Sequence, residues 1–171
     1  MFRRIEDVCS VLQAEGKLTL TVLESIPDTA MHQAVHPEHR DLTRMAWHLV
    51  ETLIEMPGRL GLTIEGASLL QSGHMAEPPV TMTAIRETYA RCSASLLKAL
   101  ADWSDSDLER EDDMYGDTWK RGFSLWVLVT HQVHHRGQMT VLMRQAGLKV
   151  PDIYGPAKEG WAAYGMEAPR V

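Results

Sequence analysis

Three histidines lie within a long apolar segment, residues 125–146, which contains no proline. An α-helix turns by about 100° per residue, so His131 and His135 fall on one apolar face, one turn apart. His134 points about 100° away from that face. Two imidazoles at positions i and i+4 can hold one cation, as in half of many zinc sites. The alternative is a pair of core histidines, each hydrogen-bonded to a carbonyl or carboxylate, since burial without partners costs roughly a few kcal/mol.

The composition indicates an ordinary globular protein. The chain has 171 residues, 44% hydrophobic and 23% charged, which fits one domain over residues 1–171. Its net charge of −6 is the opposite of the basic surplus typical of nucleic-acid binders. We see no apolar stretch of membrane-spanning length and no signal-peptide pattern. Cys9 and Cys92 lie in separate predicted helices, so we expect reduced thiols and a cytoplasmic location.

Four amphipathic segments carry the helical period, and they predict an all-α four-helix bundle with one long crossover connection. Asp41 is a good N-cap for the second helix, Pro57 should kink or end it, and Gly147 should end the fourth. The predicted helices are residues 3–26, 41–56, 83–103 and 122–146.

The remaining segments predict connections and a tail. The crossover, residues 61–80, should leave His74 exposed, and no stretch has the alternation of a strand. The connection 27–40 and the acidic stretch 104–118, which fits no calcium loop, should be solvated loops. His32, His36 and His39 therefore belong to a loop. The aromatic segment from Lys149 to Val171 should pack across the bundle, because a disordered tail would contain fewer aromatic residues.

Bundles build metal sites from inward side chains on facing helices, so a third histidine becomes relevant. His48 lies at the edge of the apolar face of the second helix and could meet His131 and His135. Three neutral imidazoles would leave a position open for water or substrate, as in catalytic sites. A di-iron bundle is disfavoured because the Glu-x-x-His pairs are missing. A zinc protease is disfavoured because Gln132 stands where its glutamate base would be.

Other residues near these histidines have two interpretations each. Glu15 falls on the inner face of the first helix and either pairs with an arginine or serves the site as a supporting group or base. Tyr89 is a core residue or turns its hydroxyl to the pocket. Arg136 points off the inner face, and we interpret it as an ion-pairing residue rather than an anchor for an anionic substrate. Gln138 lies near the edge of the site.

Two further residues follow from the same helix. Gly137 should allow close helix approach, and His134 belongs to the surface or to a dimer interface.

Two adjacent motifs occupy the end of the fourth predicted helix: His-x-x-His-His-Arg-Gly-Gln-Met at 131–139 and Leu-Met-Arg-x-x-Gly at 142–147. Together they resemble the signature of the DinB/YfiT-like superfamily of metal-dependent enzymes. Ala-Trp-His-Leu-Val at 46–50 resembles the segment with that family's first ligand, and Val-Pro-Asp-Ile-Tyr-Gly-Pro at 150–156 resembles the segment after its last helix. The resemblance implies a four-helix bundle with three metal-binding histidines, which map onto His48, His131 and His135.

The same resemblance implies a chemistry. Characterised members of the family use a divalent cation to activate a low-molecular-weight thiol, which attacks an electrophile. We therefore expect a thiol S-transferase acting on a small molecule, with zinc, or else nickel or iron, and a homodimer that binds neither nucleic acid nor membrane. A metal-dependent hydrolase and a non-catalytic metal-binding stress-response bundle remain the alternatives, because the same open position could activate water. The sequence does not identify the thiol, the electrophile or the native metal.

Overall fold

The computed structural model describes residues 1–170, so that Val171, the last residue of the predicted tail, lies outside them. Most of the chain is helical, as the sequence predicted. The helices are α1 (Ile5–Glu24), α2 (Leu42–Arg59), α3 (Met82–Leu100) and α4 (Arg121–Gln145). α1 and α2 each pack against both α3 and α4. The predicted four-helix bundle is therefore confirmed, with α2 and α4 as neighbours.

The helix ends follow from capping. Asp41 accepts a hydrogen bond from the Arg44 amide at 2.8 Å, as its predicted N-cap role requires. Pro57 lies inside the last turn of α2, which continues to Arg59 rather than ending at Met56. The prediction for the third helix was shifted, because Thr81 is the N-cap and the helix ends at Leu100. These differences concern only the ends of α2 and α3.

Two short hairpins correct the prediction that the chain contains no strand. In the crossover, β1 (Leu70–Gln71) pairs with β2 (His74–Met75). In the acidic stretch, β3 (Glu111–Met114) pairs with β4 (Asp117–Lys120) through a turn at Tyr115 and Gly116, which both have positive φ, 63° and 91°.

The acidic stretch is thus not a solvated loop throughout. It begins with a 3-10 helix, Asp105–Glu109, and both of its structured parts attach to the bundle. Leu108 and Met114 are buried in the core, and the Asp112 carboxylate pairs with Arg121 at 2.7 Å. The acidic composition hid these few apolar contacts, which hold the segment in place.

The core lies between the four helices and is almost entirely aliphatic, so apolar burial is its main stabilising term. Within residues 1–170, no helix is both long and apolar enough to cross a membrane. The fully buried core side chains include Val8, Val22, Leu49, Val50, Ile85, Leu125, Met139 and Met143.

Candidate functional site

Three histidine rings meet where α2 faces α4. His48 comes from α2, and His131 and His135 come from consecutive turns of α4. The ring centroid of His48 lies 5.0 Å from that of His131 and 4.8 Å from that of His135, and the α4 pair is 4.3 Å apart. One ring nitrogen from each residue lies within 4.8 Å of the other two. The structure therefore brings together the three predicted site residues.

Two of the rings are held by acceptors on their own helices. Nδ1 of His48 lies 2.8 Å from a carboxylate oxygen of Glu51. Nδ1 of His135 lies 2.6 Å from the side-chain oxygen of Gln138. Because both partners are acceptors, each Nδ1 carries the proton and each Nε2 keeps its lone pair. Such hydrogen bonds are the usual way in which proteins orient metal-binding histidines.

The surroundings of His131 and His135 favour their neutral form. Burial, followed by the charges of nearby groups including His135 and His48, lowers the pKa of His131 to about 4. Burial is also the largest cause that lowers the pKa of His135. Neutral imidazole is the form that binds metal ions. The electrostatics of the site therefore favour lone pairs over protons.

The donor geometry fits a divalent cation. Nε2 of His131 lies 3.1 Å from Nε2 of His135. Tetrahedral zinc with Zn–N bonds near 2.05 Å would separate two nitrogens by about 3.3 Å. In addition, Nδ1 of His131 is buried and has no hydrogen-bond partner within residues 1–170. This nitrogen lies on the side of the ring away from the Nε2 that meets His135, so His131 differs from the other two histidines in having no hydrogen-bond partner there.

His134 is exposed and does not belong to the cluster of three, although its ring centroid is 5.0 Å from that of His135. This agrees with the helical phase predicted from the sequence. The other histidines add no second cluster among residues 1–170. His32, with its side chain 87% exposed, contacts Asp41, while His36 and His39 are exposed in the predicted loop.

A buried glutamine, Gln132, stabilises the site, although the sequence analysis gave it no supporting role. Gln132 donates to the Leu49 carbonyl at 2.9 Å and to the Thr52 hydroxyl at 2.8 Å. It also accepts from the Tyr89 hydroxyl at 3.1 Å. Gln132 and Leu49 are the sequence neighbours of His131 and His48, so this network fixes α4 against α2 beside the rings.

The same contacts decide the role of Tyr89. Its hydroxyl is bonded to Gln132 in the core, and it is not part of the histidine cluster. Burial raises the pKa of this hydroxyl to about 12, so that it remains a neutral donor. The core interpretation of Tyr89 is therefore the correct one.

Arg136 corrects the predicted phase of α4. It was expected to point off the inner face, yet it is only 1% exposed. Its guanidinium donates to the Glu15 carboxylate at 2.5 Å, the Thr19 hydroxyl at 3.1 Å and the Tyr154 hydroxyl at 2.6 Å. Its predicted ion-pairing role is right, and Glu15 is the partner. The buried stripe of α4 is centred on Gln132 and Arg136, whose spacing with Leu125, Val129 and Met143 could have revealed it.

Two neighbouring predictions have opposite outcomes. Gln138 lies at the edge of the site, as expected, where it holds His135. Gly137 was expected to allow close helix approach, but it is exposed and an added Cβ would meet no atom within 4 Å. Close approach occurs instead at Gly16 in α1, where an added Cβ would lie 2.9 Å from the Ser93 hydroxyl of α3.

A cavity of about 230 Å³ opens beside His48. The walls come from α2, from the residues just before it and from β2, where His74 is exposed as predicted. The Trp47 indole forms one wall and is fixed by a hydrogen bond from its Nε1 to the Ala76 carbonyl at 2.6 Å. The site therefore has an adjoining space for a small molecule. The lining residues are Arg40, Arg44, Trp47, His48, Glu51, His74, Met75 and Ala76.

Comparisons with known proteins agree with this architecture. The sequence model of the DinB family matches residues 1–170. The chain is 36% identical to the uncharacterized protein YrdA of Bacillus subtilis (strain 168), over the full length of both chains. A crystal structure of a DinB-like protein from Bacillus cereus ATCC 10987 is similar, with 34% identity and a TM-score of 0.82, covering 90% of this chain and 100% of that one. The DinB-like protein YjoA of Bacillus subtilis, 18% identical, shares the fold with a TM-score of 0.67, covering 88% and 99% of the two chains.

Proposed function

Because the chain belongs to the DinB family, we propose that it is a metal-dependent enzyme whose ligands are His48, His131 and His135. We further propose that it transfers a low-molecular-weight thiol to an electrophilic small molecule. One observation supports the metal proposal above all others. A ring nitrogen from each of three histidines, on two separate helices, lies within 4.8 Å of the other two.

Zinc is the metal that we propose, although imidazole sites also take nickel or iron. Three protein ligands leave a coordination position for a substrate atom, which distinguishes a catalytic zinc site from a closed structural one. A divalent cation bound there would lower the pKa of a coordinated thiol and supply thiolate at neutral pH. The sulfur then forms a bond to the electrophilic carbon, the leaving group departs with the bonding pair, and the thiol proton passes to solvent.

The residues around the rings have positioning roles in this proposal. Glu51 and Gln138 hold the Nδ1 atoms of His48 and His135, so that their Nε2 atoms face the centre of the cluster. Gln132 holds α2 and α4 in register. The cavity beside His48 offers room for the substrate and excludes bulky molecules.

The carboxylate that lines the cavity favours thiol transfer over hydrolysis, which is the alternative for the same site. A metal-dependent hydrolase commonly employs a carboxylate as general base. Glu51 is the carboxylate among the residues that line the cavity, and it is already bound to Nδ1 of His48. A thiol lowered in pKa by a metal needs no such base.

Metal content tests the first half of the proposal. We expect about one zinc per chain by elemental analysis, as a three-histidine site implies, and loss of the metal in His131→Ala. His134→Ala is the matched control, since His134 is exposed on the same helix, and it should keep the metal. A wild-type chain that binds no divalent cation, or an His131→Ala variant that binds it normally, would contradict the proposal.

Thiol consumption tests the second half. The zinc-loaded protein is mixed with cysteine or bacillithiol and a chloronitrobenzene electrophile, with and without a chelator. We expect thiol loss that requires protein and stops with chelator. A metal-loaded protein that leaves both thiols unchanged would overturn thiol transfer in favour of the alternatives, a metal-dependent hydrolase or a non-catalytic metal-binding bundle in the stress response.

A further inference from the structure

The cavity beside His48 is lined by charged residues that are not among the proposed metal ligands. At about 230 Å³ it lies just below the usual range of ligand pockets, roughly 300–1,000 Å³, so a small molecule fits it. Its ionisable walls are Arg40, Arg44, His74 and Glu51, besides His48 itself. Glu51 is bound to His48, and Arg44 pairs with Glu77 at 2.5 Å.

Arg40 is the cationic residue in this wall that stays uncommitted. Its exposed guanidinium makes no hydrogen bond or ion pair with the described part of the chain, residues 1–170. Arg40 nevertheless lines the same cavity as His48, whose ring centroid lies 5.0 Å from that of His131 and 4.8 Å from that of His135. Arg40 therefore borders the space beside the histidine cluster.

A cation in this place opposes the binding of a metal ion, because like charges repel across a few ångströms. With a divalent cation bound, three neutral imidazoles and one Glu51 carboxylate leave an excess of positive charge even before Arg40 is counted. An anionic ligand would offset this excess and would pair with the free guanidinium. Arginine presents a planar fork of donors that matches carboxylate and phosphate oxygens.

We propose that this cavity binds the oxyanion group of a small substrate, a carboxylate or a phosphate, and that Arg40 recognises it. Any reaction of this anion rests on the proposed function, whereas its binding does not. The substrate class is then a small anion that carries a reacting atom towards the histidines. The wall of Trp47 and Met75 would contact the apolar part of that molecule.

Arg136, the other arginine near the cluster, does not compete for this role. It is 1% exposed, and its guanidinium already contacts Glu15, Thr19 and Tyr154. An external anion would have to displace a buried ion pair to reach it. The anion-binding role considered for Arg136 from the sequence therefore passes to Arg40.

The test measures anion binding by calorimetry, first on the metal-free protein and then on the zinc-loaded protein. The probes are succinate, inorganic phosphate and the neutral analogue succinamide. We expect at least one anion to bind both forms, succinamide to bind neither, and Arg40→Gln to weaken anion binding about tenfold or more, since a charge-assisted hydrogen bond is lost.

Arg3→Gln is the matched control, because Arg3 is also exposed and makes no hydrogen bond or ion pair among residues 1–170. It should bind anions as the wild type does, and Arg40→Gln should keep its zinc content. Binding of succinate alone identifies a carboxylate substrate, and binding of phosphate alone identifies a phosphate.

Two results would overturn the inference: wild-type protein that binds neither anion in either form, or Arg40→Gln that binds them with unchanged affinity. A protein that binds anions through Arg40 but holds no zinc would instead contradict the proposed function, so the two failures are distinguishable.

Discussion

At the scale of single residues, the far side of each imidazole matters as much as the side that faces the cluster. Glu51 contacts His48 three residues away on the same helix, and Gln138 stands in the same relation to His135. His131 has no such holder, and its buried Nδ1 stays without a partner in the described chain. The orientation of the cluster therefore depends mainly on Glu51 and Gln138.

Removal of Glu51 should weaken metal binding. The variant Glu51→Ala leaves the His48 ring without its acceptor, and loss of such a partner typically costs about 10- to 100-fold in metal affinity. Zinc competition against a chromophoric chelator measures the effect. Glu55→Ala is the control one turn further along α2, where Glu55 contacts Arg59 and Tyr115 instead of a histidine. Equal zinc affinity in the two variants would contradict this role of Glu51.

The sequence was enough to predict which three histidines meet, but it did not predict the contacts that surround them. Helical phase alone turned His131 and His135 inward and His134 outward, because that angle depends only on residue spacing. Gln132 was missed because its partners, Leu49 and Thr52, are about eighty residues away in the chain and belong to another helix. A polar side chain of this kind gains meaning only when its acceptors are known.

At the scale of elements, the buried face of α4 contacts two helices. It meets α2 through Gln132 and the histidines, and it meets α1 through Arg136. The predicted face was centred on the histidines, which are only half-buried, and it therefore left out the contact with α1. The apolar residues Leu125, Val129 and Met143 indicate the rest of the face, but a charged residue such as Arg136 is not expected on it.

The Glu15–Arg136 pair should carry much of the α1–α4 contact. In Glu15→Ala the nearly buried guanidinium loses its counter-ion, and breaking a buried pair in this way costs about 3–5 kcal/mol. Urea unfolding of the metal-free protein measures the free energy of unfolding.

Arg144→Ala serves as the control for this experiment. It breaks the solvent-screened pair between Arg144 and Glu159, which should lower the free energy of unfolding far less than loss of the buried pair does. The double variant Glu15→Ala/Arg136→Met should recover part of the lost stability, because no buried charge then remains. A loss below about 1 kcal/mol in Glu15→Ala would refute the assignment.

The β3–β4 hairpin marks the limit of sequence reasoning at this scale. Its strands are mostly acidic and carry almost no apolar alternation, so they resembled a loop. Besides the burial of Met114, the contact of its turn with α2 holds the hairpin in place. The Tyr115 hydroxyl donates to Glu55 at 2.7 Å, and the Arg59 guanidinium lies 4.4 Å from the Tyr115 ring centroid.

At the scale of the whole molecule, the C-terminal tail contacts the bundle through several residues, and the Tyr154 hydroxyl is the one that reaches the buried ion pair. Tyr154 donates to the Glu15 carboxylate at 2.7 Å and accepts from Arg136 at 2.6 Å, while its residue as a whole is 67% exposed. The tail thus contacts α1 and α4 at the buried ion pair. The predicted packing of the tail across the bundle has this physical basis, whereas the predicted homodimer stays a prediction.

Loss of that hydroxyl should loosen the tail and leave the bundle intact. Tyr154→Phe removes both hydrogen bonds, each worth about 1 kcal/mol, and should speed amide hydrogen exchange in residues 150–165 without changing exchange in α2. Mass spectrometry of deuterium uptake measures both regions. Tyr164→Phe is the control, because Tyr164 is 64% exposed and its hydroxyl makes no hydrogen bond within residues 1–170. Identical uptake curves for Tyr154→Phe and wild type would count against the contact.

The placement of each ring holder on its own helix has a consequence for protein engineering. His48 with Glu51, and His135 with Gln138, are each complete within one turn of a single helix. Either turn can be grafted onto a foreign scaffold with its imidazole already aimed. Such a scaffold would then need His131 one turn before His135, and the correct spacing between two backbones, to reproduce the coordination pocket.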